Sequence, residues 1–233
     1  LHWNLDFVLI GVLAICFGTY ALCFRSRALR ISQGQFLLGS AGFAVLAASL
    51  ITPLCNLSVA LFTARAVQHG LILLTSAPLL VSGMPRGRPG RLEAVAAPLA
   101  FAATLWFWHL PVFYDATLTN NFVYWVMHLT LFITALSLWR VLLAGEAFVV
   151  GSLFTGIQMC ALGALLTLSA RPWFSVYEVT TWPWGLSQSA DQQLGGVVMW
   201  VIGGILLSAF TIISLARVFA SASPAPRLTS STA

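Results

Sequence analysis

The chain contains no lysine, and charge of either sign is scarce: eleven arginines and six carboxylates among 233 residues, or 7% charged. A soluble domain carries about 25% charged residues. With 59% hydrophobic residues and a mean hydropathy of +0.92, the composition is that of an integral membrane protein. Other absences narrow the function. No basic run interleaves with aromatics, which excludes nucleic-acid binding, and the net charge of +5 reads instead as loop charge on a membrane protein. There is no Gly-rich phosphate loop, no carboxylate pair within an apolar span, and no Ser/His/Asp or Cys/His arrangement assignable to one side, so an enzyme is the weaker class. No C-x-x-C pair occurs. Cys16, Cys23 and Cys160 read as small buried apolar residues, while Cys55 stays open as a soft ligand. No basic n-region precedes the first apolar segment, so no signal peptide is expected. No repeat of soluble-array length and no inverted repeat is evident.

What is present is a series of apolar runs long enough to cross a bilayer, for which about 20 residues suffice. Seven are expected, near Phe7–Phe24, Gly34–Thr52, Ser58–Ser82, Glu93–His109, Asn121–Leu143, Ala147–Leu168 and Gln192–Phe219. The expected fold is an all-α bundle of seven transmembrane helices over residues 1–220, followed by a disordered tail, 221–233. Arg25, Arg27, Arg30, Arg86, Arg88, Arg91, Arg140, Arg217 and Arg227 then fall on one side, and Arg171 on the other. Basic loops belong in the cytoplasm, which puts the N-terminus outside and the C-terminus in the cytoplasm of a bacterial inner membrane. The outer loops are Pro53–Leu57, Leu110–Asn120 and Ser169–Asp191, the last with RPWFSVYEVTTWPWG, an aromatic belt or a cap.

The third run is unusual in holding Arg65, Gln68 and His69 within five residues. Ionisable groups in hydrocarbon are costly and face a polar interior or a site. By topology Arg65 lies roughly 10 Å and His69 roughly 16 Å below the outer surface, with His128 also roughly 10 Å deep. His109 ends the fourth helix, and Asp191 and Gln192 open the seventh, with Met199 about two turns further in. His69, His109 and His128 on three helices are thus candidate ligands for copper, zinc or haem iron, with Met127, Met199 and Cys55 as soft neighbours. Asp191 is a candidate to orient a histidine or to neutralise Arg65. The blander roles are a satisfied core histidine for His69 and His128, a helix cap for His109, packing for Met127 and Met199, close helix approach for Gly195 and Gly196, and a bend at Pro78.

Three blocks carry a resemblance to a known family. They are TPLCNLSVALFTARAVQHGLILLTSAPLLVSGMP, WFWHLPVFYDATLTNNFVYWVMHLTLFITALSLW and DQQLGGVVMW. In order and spacing they resemble the CtaG-like membrane proteins that act as cytochrome c oxidase assembly factors. The resemblance implies seven helices and a role in maturing a haem–copper oxidase, with copper as the implied cofactor and oxidase subunits as partners. It places His69, His109, His128, Asp191 and Met199 on family positions, together with Gln68, Gln192 and Tyr114. It also exposes departures: Arg65-Ala66 stands where the family commonly has His-Met, Cys55 where it has Asp, and Ala77 where it has a second Pro. A fixed positive charge at Arg65 repels a bound cation at close range. Three readings follow: an assembly factor placing copper into, or stabilising, the oxidase at the outer face; a metal-free accessory subunit of a respiratory or other membrane complex, held by an Arg65–Asp191 ion pair; and a haem-binding membrane redox protein.

Overall fold

The computed structural model describes residues 2–145 and 148–222, and every element in them is helical. Six helical spans are long and apolar enough to cross a membrane, and a bent pair supplies a seventh. The predicted tail divides: Ser221 and Ala222 belong to the last helix, and residues 223–233 lie outside the described residues, as does Ala147 at the predicted start of the sixth run.

The first span, α1 (Phe7–Arg25), starts where the Asp6 carboxylate accepts from the amides of Val8 and Leu9. It packs on α2 (Gln33–Ile51), which opens on a reciprocal Ser32–Gln35 capping box. Few side chains of α1 are buried, and Phe7 and Val8 are among the most exposed apolar residues of the chain. That exposure suits a lipid-facing helix, since the bilayer itself solvates apolar surface.

The predicted third run is not one helix. A short helix, α3 (Pro53–Ala60), occupies the expected outer loop, Leu61 is extended at φ −132°, ψ 131°, and α4 (Phe62–Gly70) begins afresh. A π turn, Leu71–Ser76, then leads into α5 (Ala77–Ser82). Pro78 explains that turn: it lacks an N–H, and its ring crowds the carbonyl one turn back, so the helix widens just before it. Trp139 caps the disturbance by donating its indole N–H to the Leu73 carbonyl at 2.7 Å.

The next unit repeats this plan. The helix α6 (Arg91–Trp108) meets α7 (Pro111–Thr119) at a 73° bend, Asn120 is extended at φ −135°, ψ 116°, and α8 (Asn121–Ala144) follows. Each unit is a long helix, a short outer helix opened by proline (Pro53, Pro111), one extended residue, and a returning helix. His69 and His128 each lie eight residues past the extended residue of their unit. The repeat is tandem, and residue identity barely registers it.

A third hairpin closes the bundle: α9 (Phe148–Leu168), an outer loop with two single 3₁₀ turns, and α10 (Gln188–Val197). A second π turn, Val198–Ile202, separates α10 from α11 (Gly203–Ala222). The α9–α10 crossing requires glycine, since a Cβ on Gly163 would sit 2.8 Å from Trp200 Cβ and one on Gly196 2.7 Å from the Gly163 carbonyl oxygen. Gly196 therefore has the packing role its sequence suggests. A Cβ on Gly195 would strike the Phe62 ring at 2.3 Å, which ties α10 to the start of α4.

Candidate functional site

The break at Leu61 is what builds the site. Helix α4 starts inside the protein, where its first amides have no preceding turn to bond. Asp191, fully buried on α10, supplies the missing acceptors: Oδ2 takes the Phe62 N–H at 2.6 Å and Oδ1 the Thr63 N–H at 3.1 Å. The Thr63 hydroxyl returns a bond to the Asp191 carbonyl at 2.9 Å. The carboxylate is a remote N-cap, favoured by the positive end of the helix dipole. The expected Arg65–Asp191 ion pair does not form: the carboxylate turns to the start of α4, and Arg65 turns to Thr117 and Met127. Irregular backbone at membrane depth is tolerated where protein satisfies it.

Arg65 is 1% exposed and takes a different environment. Its Nη2 donates to Thr117 Oγ1 at 2.8 Å and to Met127 Sδ at 3.5 Å. Its guanidinium carbon lies 5.0 Å from the centroid of the Tyr114 ring and 5.7 Å from that of Tyr124. Two aromatic faces thus replace a carboxylate as the counter-dipole, a contact worth about 2 kcal/mol or more when desolvated. Nε and Nη1 have no hydrogen-bond partner. Tyr114 is fixed in turn by stacking on Phe174, with ring centroids 3.8 Å apart, and by a 3.0 Å bond between its hydroxyl and that of Tyr177. Tyr177 comes from the outer loop and also donates to the Ser58 carbonyl at 3.1 Å. Burial pushes its phenol above the ordinary value, so it stays neutral. The Trp-rich loop is therefore more than an interfacial belt: it inserts Phe174 and Tyr177 over the site.

Of the three histidines, two meet. The His69 and His128 rings form an edge-on contact, with centroids 5.2 Å apart at 71°. Nδ1 of His128 bonds the Tyr124 carbonyl at 3.0 Å, which makes Nδ1 the protonated nitrogen and leaves a lone pair on Nε2. The Nε2 atoms of both rings are shielded and unpartnered. His109 stands apart from this contact. Its Nδ1 donates to the Leu105 carbonyl at 2.7 Å, so it closes the end of α6, with its ring centroid 6.0 Å from that of Tyr114. Among the described residues no group of three or more His, Cys, Asp or Glu side chains could hold a metal ion.

The remaining candidates divide between support and lining. Gln68 donates to the Ser49 carbonyl at 2.8 Å and ties α4 to α2. Gln192 accepts from the Trp173 amide at 2.6 Å and donates to the Leu166 carbonyl at 3.1 Å, anchoring the outer loop to the end of α9. Met199 sits in the second π turn and lines a cavity of about 180 Å³ with Arg65, His69 and His109. Met127 accepts from Arg65, and Cys55 lies buried on α3 with its sulfur 3.7 Å from the Tyr124 hydroxyl. Sequence reasoning missed Thr117, Tyr124 and Tyr177. Their hydroxyls and rings matter only through where the outer helix and loop fold back, and no spacing signals that.

Fold and site together define a multi-pass helical membrane protein whose polar residues converge on a buried imidazole–guanidinium–phenol core. Residues 17–221 match the family described as cytochrome c oxidase caa3 assembly factor, and the chain belongs to that family. No curated protein and no solved structure matches the chain.

Proposed function

We propose that this family member assists oxidase maturation at the outer face of a bacterial inner membrane, without catalysis, by holding Cu(I) transiently between His69 and His128. The orientation rests on the arginine-rich loops, which by the positive-inside rule put the N-terminus outside and the C-terminus in the cytoplasm. The observation that supports the reading is the pair of shielded, unpartnered Nε2 atoms on touching imidazoles, His128 buried and His69 half-buried. Neutral imidazoles are good donors to a soft monovalent metal, and the Tyr124 carbonyl holds the His128 tautomer that donates through Nε2. Copper would supply the cargo of assembly, not a redox step in this protein. Met199 lines the same cavity as His69 and is the thioether we assign to share the metal. His109, committed to the Leu105 carbonyl through Nδ1, is a lesser ligand than its sequence position suggests. Arg65 opposes a second positive charge, which favours weak, transferable binding over storage. Contact between the two rings leaves no slot for a porphyrin between them, which speaks against the haem reading.

The test is Cu(I) retention by the reduced, purified protein against a competing chelator. His69→Ala and His128→Ala should each lose copper, and His109→Ala should keep most of it. Unchanged retention in the triple His→Ala variant would sink the copper reading. One observation favours a second reading, the metal-free accessory subunit: Arg65 is a buried cation caged by tyrosines amid the histidines. Metal-free protein co-purifying in fixed ratio with an oxidase would support that alternative.

A further inference from the structure

Arg65 is fully buried, yet among the described residues no carboxylate lies within ion-pair distance of it. Asp191, the partner expected from the sequence, instead accepts from the backbone amides of Phe62 and Thr63. A buried cation with unpartnered donors calls for an anion. Arg65 and His69 both line the 180 Å³ cavity; Nε and Nη1 of Arg65 are unpartnered and shielded, so the guanidinium turns toward the cavity to meet an anion. His109 and Tyr114 stand on the same wall, and no carboxylate lines any part of the cavity. Apart from Thr75, the rest of the lining is apolar or glycine, including Leu73, Leu105 and Met159.

The cavity lies between the two π turns, Leu71–Ser76 on one side and Val198–Ile202 on the other. At its rim Ile202 is 50% and Leu206 44% exposed, both on the lipid-facing surface of the last span. The opening therefore faces hydrocarbon, and an occupant enters from the bilayer. We propose that this cavity binds a single-chain lipid acid, its carboxylate against Arg65 and its chain leaving past Ile202 into the membrane. The volume admits a carboxylate and the first methylenes but not a glycerophosphate with two chains. A charge-assisted bond from guanidinium to carboxylate is the stronger kind, and it gains further in a low-dielectric site. The proposal does not rest on the copper reading, because it uses Arg65 and is measured on metal-free protein.

Fluorescence of cis-parinaric acid added to the full chain in nanodiscs, stripped of metal by chelator, tests this. The wild type should bind the acid, parinaryl alcohol should bind at least tenfold more weakly, and Arg65→Gln should weaken the acid at least tenfold. Ile202→Trp, which fills the mouth without touching any charge, should abolish acid binding while Cu(I) retention is unchanged. Equal binding of acid and alcohol, or acid binding within twofold of wild type in both Arg65→Gln and Ile202→Trp, would overturn the proposal. Stronger competition by lysophosphatidate than by oleate would overturn the carboxylate assignment.

Discussion

Asp191→Ala offers the sharpest test of how the site is held. The wild-type carboxylate, itself fully buried, accepts the amides of Phe62 and Thr63 at 2.6 and 3.1 Å. Alanine leaves both amides unsatisfied where no lipid or solvent group replaces them. Losing an N-cap costs roughly 0.5–2 kcal/mol, and each buried donor left unpaired about 1–3 kcal/mol. These overlap and do not simply add, which puts the expected loss at about 3 kcal/mol. Asn keeps one acceptor oxygen of similar shape and should cost about 1 kcal/mol. Reversible unfolding in mixed micelles reads the stability, and amide exchange should accelerate first at Phe62–Ala66. A double-mutant cycle with Arg65→Met separates this cap from the ion pair that the sequence suggests. With no direct contact the coupling should stay below about 1 kcal/mol. Coupling of several kcal/mol, with unchanged exchange at Phe62 and Thr63, would refute the cap and restore the ion pair.

Arg65→His removes a fixed charge from beside the imidazole pair. At an effective dielectric of 20, unit charges within about 10 Å of one another interact by about 1.5 kcal/mol or more, so Cu(I) affinity should rise at least tenfold in a chelator titration. Gly163→Ala drives a Cβ to 2.8 Å from Trp200 Cβ and should destabilise by about 1–3 kcal/mol, measured by the same micelle unfolding. Gln192→Ala frees the Trp173 amide and the Leu166 carbonyl, and proteolysis within the outer loop should accelerate while the helical content by circular dichroism holds. Arg140→Gln breaks a 3.4 Å pair with Glu93 whose side chains are 53% and 32% exposed, and stability should change little.

The order of helices was legible in the sequence because hydrocarbon enforces it. A span must satisfy its backbone within itself and present apolar side chains, so Phe7–Arg25, Gln33–Ile51 and Asn121–Ala144 fall within about three residues of the apolar runs. The breaks were less legible. Leu61 is an apolar residue inside an apolar stretch, and what interrupts the helix there is a carboxylate 130 positions further along the chain. Hydropathy sees one run, whereas the fold has a separate α3 and an α4 that starts anew. The π turn at Leu71–Ser76 had a local signal in Pro78, but its partner at Val198–Ile202 had none.

The same division holds for the site. Sequence alone determined that these polar groups need protein partners, since Arg65, Gln68, His69, His128 and Asp191 are too costly in hydrocarbon to sit there alone. It did not determine which partners. Tertiary structure decided that Asp191 serves the backbone and not Arg65, that Arg65 rests between Tyr114 and Tyr124, and that His128 meets His69 while His109 turns to its own helix. The physical reason is that burial cost is a property of each residue, fixed by its chemistry. Pairing depends on side-chain directions set by two broken helices and an inserted loop, which only the folded chain defines.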